Sequence, residues 1–414
     1  RQIEEKRPTN NHVTAGAGHP AAQAELTLPQ ENYTGQIVLI GEEPYLPYQR
    51  PPLSQSFLAG EMPAERLYLK PASFYDDPGI VLRLNTRITS VDPGGRSLAI
   101  SDGDVIDYDR LILSLGSRAR PLPIDGTDLE HVHYLRTIAD VEAIRAELDV
   151  GRRLVVIGAG YIGLEVAAVA RQQGLDVTVI EMADRVMSRV VSPEISDFYQ
   201  IEHANHGVKL RLSTGVKALH GTTRVRQVEL DNDETVPADF VVIGVGILPN
   251  TELAEQAGLA VDDGIIVDDH CQSSDPNIYA IGDCTSHPNG IYDRRLRLES
   301  VHNALEQAKT AARNICGKDT QYCQVPWFWS DQYDLKLQIA GLSAGYDDVV
   351  IRGNPAERSF SCLYLKDSRL IALDAVNSAR DFMQAKSLIA ARAVLPADRL
   401  ADPNTALKDL STEA

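Results

Sequence analysis

The sequence predicts an α/β fold in which two glycine-turn βαβ units precede a separate α+β domain. Three observations predict it. The apolar run Leu154–Ile157 enters Gly158-Ala159-Gly160-Tyr161-Ile162-Gly163, then the helically spaced LEVAAVARQQ, then the strand-like VTVIE. A weaker copy of that turn, Gly16-Ala17-Gly18-His19-Pro20-Ala21, lies 142 residues earlier. From Trp327 the texture changes to WFWSDQY, shorter alternating runs such as FSCLYL and LIALDAV, and a helical DFMQAKSLIAARA. The fold class expected is therefore two Rossmann-like dinucleotide-binding domains plus a C-terminal α+β domain.

Length and composition bound the rest. At about 150 residues per domain, 414 residues predict two or three domains. The chain is 43% hydrophobic and 24% charged, which excludes disorder, collagen and small disulfide scaffolds. Lys+Arg 40 against Asp+Glu 58 gives a net charge of −18, so no nucleic-acid partner is expected, because phosphate contacts need clustered cations. Cys271, Cys284, Cys316, Cys323 and Cys362 contain no C-x-x-C pair. That argues against zinc knuckles and thioredoxin-type pairs, so no metal is expected, and the small count fits a reducing, cytoplasmic setting. No stretch of 18 uncharged apolar residues exists, so no membrane span is expected. The opening RQIEEKRPTNNH has no apolar core and is not read as a secretory signal. It also lacks a starting Met, so residue 1 is expected not to be the gene's first.

The elements follow in order. An alanine in third place is allowed in the early turn. The preceding NNHVT reads as too polar for a buried strand, and Pro29 either ends the following helix or costs it a bond. A Gly-rich surface loop explains those residues equally well. QIVLIG is a strand leading to Glu42 and Glu43, and YDRLILSLG (Tyr108–Gly116) is another.

The second turn is complete. Gly158 permits the tight turn, Gly160 admits a close backbone approach to a pyrophosphate, and Gly163 lets helix and strand pack. The helix N-terminus offers amides and a positive dipole end to phosphate. Glu181 lies 23 residues after Gly158, where an acid binds ribose hydroxyls and repels a 2′-phosphate, so NADH is expected over NADPH. Arg185 and Arg189 are the counter-signal, since arginines there can hold a 2′-phosphate. The bland reading is a ligand-free glycine turn with solvated arginines. ADFVVIGVG (Ala238–Gly246) and DPNIYAIGDC (Asp275–Cys284) are further strands ending in glycine turns.

YQRPPLS, LYLK, YDRLIL, YLRT, GYIGLEVAA, YAIGDC, RLESVHNALEQA and PWFWSDQY together resemble the oxygenase-coupled NADH-dependent ferredoxin reductases from Tyr33 to the C-terminus. These are flavoproteins with two dinucleotide-binding domains of glutathione-reductase-like arrangement. The resemblance implies a discontinuous FAD domain over 1–116 and 249–325, an NADH domain over 117–248 and a C-terminal domain over 326–414. It implies FAD contacts from Gly16, Gly18, Pro20, Glu42, Arg50, Gln55, Ile88, Arg136, Asp283, Val301 and Trp329. It implies NAD contacts from Gly158, Gly160, Tyr161, Ile162, Gly163, Glu165, Glu181, Arg189 and Gly246. Gln55, Glu165 and Trp329 are expected near the flavin, with no certain catalytic side chain, because the flavin does the chemistry.

Two departures stand out. The family's PPLSK is PPLSQ here, so Gln55 replaces the lysine that pairs with the glutamate of GYIGLE. Glu165 thereby loses a cation, and its pKa is expected to sit higher than in relatives. The family's ATG turn is Ser114-Leu115-Gly116.

The implied function is electron transfer from NADH through FAD to a 2Fe-2S ferredoxin that feeds a cytochrome P450 or Rieske-type oxygenase. The chain has no cysteine before position 271, which removes the C-x-x-x-x-C and single-cysteine branches of the superfamily. The alternatives are a partner-independent NADH oxidase or diaphorase, and an FAD-binding protein of the apoptosis-inducing-factor type. Between Arg294 and Arg313, five cations face Glu299 and Glu306, a local +3. Lys309, Arg295 and Arg297 are the expected ferredoxin-docking residues, on a monomer.

Overall fold

The apolar runs before each glycine turn form the central strands of two parallel sheets. In the computed structural model, which describes residues 10–412, the chain divides into two compact units. The charged opening stretch 1–9, and with it the outer limits expected at 1 and 414, lies outside the described residues.

The first unit takes the chain up to Gln49, Ala64–Arg118 and Leu248–Pro326. Its sheet runs Ile278–Ala280, Arg110–Leu113, Asn11–Ala15, Gln36–Ile40, Ile80–Arg83, all parallel. The second unit takes Arg50–Pro63, Ala119–Ile247 and the chain from Trp327. Its parallel sheet repeats the order as Val132–Tyr134, Phe240–Ile243, Arg153–Ile157, Asp176–Ile180, Lys209–Arg211. Both sheets are Rossmann-like. The edge strand beside Arg110–Leu113 comes from later chain, and the one beside Phe240–Ile243 from earlier chain. The second unit also carries an antiparallel sheet in the order Trp327–Gln332, Leu335–Gly341, Arg369–Val376, Ser359–Lys366, Asp348–Asn354. The helix Ala379–Ala390 packs on that sheet, which gives the expected α+β texture.

Asn11–Ala15 corrects the reading of NNHVT as too polar for a buried strand. It is the middle strand of its sheet, paired on both sides. Alternation sends Val13 and Ala15 into one apolar core with Ile40, Leu111 and Leu113. The opposite face carries His12 and Thr14 toward the helix His19–Gln30, where Glu25 is equally buried. Thr14 Oγ1 donates to Glu25 Oε1 (2.6 Å), and His12 Nε2 meets Thr14 Oγ1 at 2.8 Å. The polar residues fit because they hydrogen-bond one another and stay neutral. Burial pushes His12 down to about 3 and Glu25 up to about 8. Pro29 lies inside the last turn of that helix, one residue from its end at Gln30. Alanines 24, 308 and 311 let this helix pack closely on Val301–Ile315.

These pKa directions set a pH dependence. Glu25 is protonated in the fold and ionised in the unfolded chain between about pH 4.5 and 8, so its contribution to stability falls as pH rises through that window. His12 has the opposite sign but acts only below its ordinary value of 6.5. Scanning calorimetry from pH 6.5 to 8 is expected to show Glu25→Gln gaining a few degrees of Tm on the wild type as pH rises. A constant difference across that range refutes the ionisation account.

Candidate functional site

Each parallel sheet places a glycine turn at the C-terminal end of its central strand, and the two turns share one geometry. Gly16 adopts φ +111° and Gly158 φ +104°, the left-handed region that favours glycine. A Cβ on Gly16 would lie 2.0 Å from Ser114 O, and one on Gly158 would lie 2.0 Å from Gly244 O. Gly163 meets the Gly158 carbonyl just as closely, at 2.1 Å, whereas nothing lies within 4 Å of a Cβ on Gly160. Thus Gly158 and Gly163 are fixed by crowding, and Gly160 faces open space that a ligand could use. The helices after the turns start at Gly18 and Gly160 with no side-chain cap. Their first amides suit an anion.

In the first unit, Pro20 stands in the first turn of its helix beside Gly282. Glu42 follows Gly41 and is largely exposed, 3.9 Å from Arg87. Its neighbour Glu43 accepts from Tyr48. Ile88 opens the strand Ile88–Asp92. Asp283 lies in the short helical turn Gly282–Cys284 and accepts from Ser117 Oγ at 2.9 Å. Val301 starts the helix Val301–Ile315, capped by Ser300, whose Oγ accepts from Asn303 N. Sequence reading missed what holds the Gly282–Asp283 turn. Gln307 Oε1 accepts from Gly282 N (2.8 Å) and from Asn303 Nδ2 (3.1 Å), while Gln307 Nε2 donates to Thr285 Oγ1. The signal was two amides, Asn303 and Gln307, four apart on one helix face.

In the second unit, Glu181 ends the strand Asp176–Ile180 and bridges the turn. Its carboxylate accepts from Ala159 N (2.7 Å) and Ala183 N (3.1 Å). The two arginines of the counter-signal separate here. Arg185 donates to the carbonyls of Val191 and Ser188 and to Ser196 Oγ, so it builds its own loop. Arg189 is exposed, and its guanidinium stands with that of Arg120 beside Gly246 (φ +103°). Arg120 was not singled out from the sequence. Tyr161 and Ile162 open the helix Tyr161–Gln172, with the Tyr161 ring edge-on to Phe328 at 4.9 Å.

Four side chains meet inside this unit. Glu165 is 3% exposed and accepts from Ser54 Oγ (2.5 Å), Ser330 Oγ (2.7 Å) and Gln55 Nε2 (3.1 Å). Burial raises its pKa to about 7, and the three neutral donors oppose that rise. Ser54 and Ser330 were missed, because no spacing rule links a hydroxyl 111 residues before the acid with one 165 residues after it. Arg50 Nη1 donates to the Arg136 carbonyl at 2.7 Å. Trp329 is half-buried in Trp327–Gln332, its ring 5.8 Å from that of Trp327.

Residues 10–308 match the family model of the pyridine nucleotide-disulphide oxidoreductases, and residues 327–411 match the reductase C-terminal model. The chain belongs to this oxidoreductase family. A ferredoxin–NAD(P)+ reductase of a Sphingomonas species is 45% identical over 403 residues, 97% of each chain. Putidaredoxin reductase of Pseudomonas putida is 41% identical over 411 residues, 98% of this chain and 97% of that one. The crystal structure of the covalent putidaredoxin reductase–putidaredoxin complex superposes with TM-score 0.96 at 40% identity, covering 99% of this chain and 100% of that one. The ferredoxin-reductase resemblance carried by YQRPPLS and PWFWSDQY is thus borne out. FAD and NAD(P)H are the family's cofactors. The uncapped helix starts and the crowded, left-handed Gly16 and Gly158 fit two pyrophosphates.

The oxidoreductase's basic segment is more tightly paired than its own residues suggest. Arg297 bonds Asp263 and Glu299, Lys309 bonds Glu306, and Arg313 bonds Glu31. Arg295 donates to the carbonyls of Val267 and Ser286. Counting charge along the segment left out Glu31 and Asp263, which the fold brings beside it.

The Glu165 cluster yields one prediction. In Gln55→Lys, an ammonium replaces an amide 3.1 Å from the carboxylate and returns Glu165 toward the ordinary carboxylate range. Carbon-13 NMR of labelled glutamate is expected to show a carboxyl titrating near pH 7 in the wild type and ionised there in the variant. Wild-type stability falls from about pH 4.5 to 7 on this account, and the variant flattens that slope. An unchanged titration assigns position 55 to packing alone.

Proposed function

We propose that this chain is an NADH-dependent ferredoxin reductase that passes electrons through FAD to a 2Fe-2S ferredoxin serving an oxygenase. The observation that carries the reading is the pair of matching glycine turns, one on each parallel sheet. The named relatives, which match over nearly their whole lengths, support the choice of acceptor.

Three domains suit this function: FAD over 1–116 and 249–325, NADH over 117–248, and the C-terminal domain from 326. FAD would be held by Gly16, Gly18 and Pro20 at the pyrophosphate, Glu42 at the ribose, and Asp283, Ile88 and Val301 in the first unit. Arg50, Gln55, Arg136 and Trp329 complete the proposed set. NADH would be held by Gly158, Gly160, Tyr161, Ile162 and Gly163, with Glu181, Glu165, Arg189 and Gly246. When bound, the flavin accepts an electron pair as hydride and releases electrons singly, which nicotinamide cannot do. The protein's part is placement. The Ser54 and Ser330 hydroxyls fix both oxygens of Glu165, leaving Gln55 Nε2 as a neutral donor where the PPLSK pattern of the resembled family implies a charge. A carboxyl with a pKa of about 7 can hold or release a proton at working pH.

A partner-independent NADH oxidase is the second reading. A water-forming NADH oxidase of Lactobacillus brevis shares the fold at TM-score 0.87 but only 20% identity, so it supports the fold alone. Cytochrome c reduction by NADH that requires added ferredoxin supports the reductase, whereas oxygen consumption at the same rate without ferredoxin refutes it. A monomer in the cytoplasm is the setting proposed, and no helix among the described residues is long and apolar enough to cross a membrane.

Coenzyme choice follows from Glu181. A 2′-phosphate beside its carboxylate is repelled, so kcat/KM is expected to favour NADH over NADPH by about tenfold or more. Equal use of both would transfer the specificity to Arg120 and Arg189.

Docking rests on Lys309, Arg295 and Arg297. The net charge of −18 gives no general attraction to an acidic ferredoxin, so local cations must steer it. Lys309→Glu sets two acids three residues apart on the helix. It is expected to cut ferredoxin-dependent turnover severalfold and flatten its salt dependence, while NADH–ferricyanide activity stays unchanged. An equal fall in ferricyanide activity would place Lys309 in support of the flavin site instead.

A further inference from the structure

We propose that His131, His133 and Glu147 form a binding site for one divalent transition-metal ion of zinc type. The three are separate from every residue assigned above to FAD, NADH or ferredoxin. His131 precedes the edge strand Val132–Tyr134 and His133 lies within it, while Glu147 follows the helix Ile138–Arg145. One ligand atom from each residue lies within 4.8 Å of the others.

The arrangement converges on one oxygen. His131 Nδ1 hydrogen-bonds Glu147 Oε1, and His133 Nε2 lies 3.5 Å from the same atom. Ligand atoms held about 2.0–2.1 Å from a tetrahedral zinc are about 3.3 Å apart, which is close to that second separation, whereas the direct His131–Glu147 hydrogen bond must open to admit the ion. His133 Nε2 is shielded from solvent and makes no hydrogen bond. A buried ring nitrogen without a partner costs free energy unless something fills the place. His131 adopts φ +68°, an uncommon backbone for a non-glycine residue, and this conformation accompanies its approach to Glu147.

Arg152 is the charged neighbour. Its Nη1 stands 2.8 Å from Glu147 Oε2, the carboxylate's other oxygen. It thus orients the carboxylate as outer partners of metal ligands do. Two imidazole nitrogens and one carboxylate oxygen make up the ligand set. Such a nitrogen-rich set selects zinc, nickel or cobalt over calcium and magnesium. His131, a third exposed, leaves room for water at the fourth position. An ion there ties the sheet's edge strand to the loop entering Arg153–Ile157.

The competing account is a His131–Glu147 hydrogen bond with Arg152 as ion-pair neighbour and His133 as bystander. Calorimetric titration of the metal-free, FAD-loaded full chain with Zn2+ at about pH 7.5 separates the two. One equivalent is expected to bind, with affinity at least tenfold weaker in His133→Ala. His270→Ala, which alters the acidic cluster Asp268–His270, is expected to bind as the wild type does. Unchanged melting of the metal-free His133→Ala protein shows that the variant folds. Should it melt early, X-ray absorption of the zinc-loaded wild type decides, with imidazole scattering expected. No binding, equal binding by His133→Ala, or a zinc shell without imidazole overturns the proposal.

Discussion

Two backbone crossings organise this molecule. At each, the turn leaving a central strand passes so close to the adjacent strand's end that only a hydrogen fits. Gly16 crosses Ser114, and Gly158 crosses Gly244, and a Cβ at either would lie 2.0 Å from a carbonyl oxygen. The surrounding bonds repeat as well. Gly16 N donates to Ile40 O and Gly158 N to Ile180 O, both at 2.8 Å, and Ser114 N and Gly244 N return the ladder to Ala15 O and Ile157 O. This crossing fixes where each following helix begins, and so where its uncapped amides point. Any side chain at these positions pushes two strands apart and moves the phosphate-facing amides with them.

Two buried carboxyls show how the rest of the fold treats charge. Glu25 has one hydroxyl donor and Glu165 has three neutral donors, and burial raises Glu25 further, to about 8 against about 7. The difference follows the number of donors that favour the ionised form. Glu25 and its neighbours stabilise a strand interior by remaining neutral. Glu165 sits close enough to neutrality for its proton to respond to small changes in its surroundings. A cation at position 55 would remove that responsiveness, which makes the amide there a choice with chemical consequences.

Much of this was legible in the sequence, for local reasons. The second unit's strand, glycines, helix and terminal acid are contiguous, so periodicity and spacing sufficed for Leu154–Glu181. The first unit's opening strand was not legible. His12 and Thr14 become acceptable in a core only through Glu25, eleven residues beyond Thr14 on another element. Ser54 and Ser330 escaped for the same reason at longer range. Charge was misjudged where partners came from elsewhere in the chain, as with Glu31 beside Arg313 and Asp263 beside Arg297. Short-range rules find turns and helix starts, whereas the partners that satisfy buried or charged groups are set by topology.

The two units also interleave along the chain, each built from three separate segments. On the ribosome, this means Ser54 emerges 111 residues before the acid it bonds, and Ser330 emerges 165 residues after it. The strand Arg110–Leu113 likewise waits for Ile278–Ala280 to cover its free edge. A nascent chain therefore carries an exposed, apolar parallel edge through the synthesis of the whole second glycine-turn unit. Until Ile278–Ala280 has been made, that edge is open to off-pathway pairing, a hazard the finished protein no longer shows.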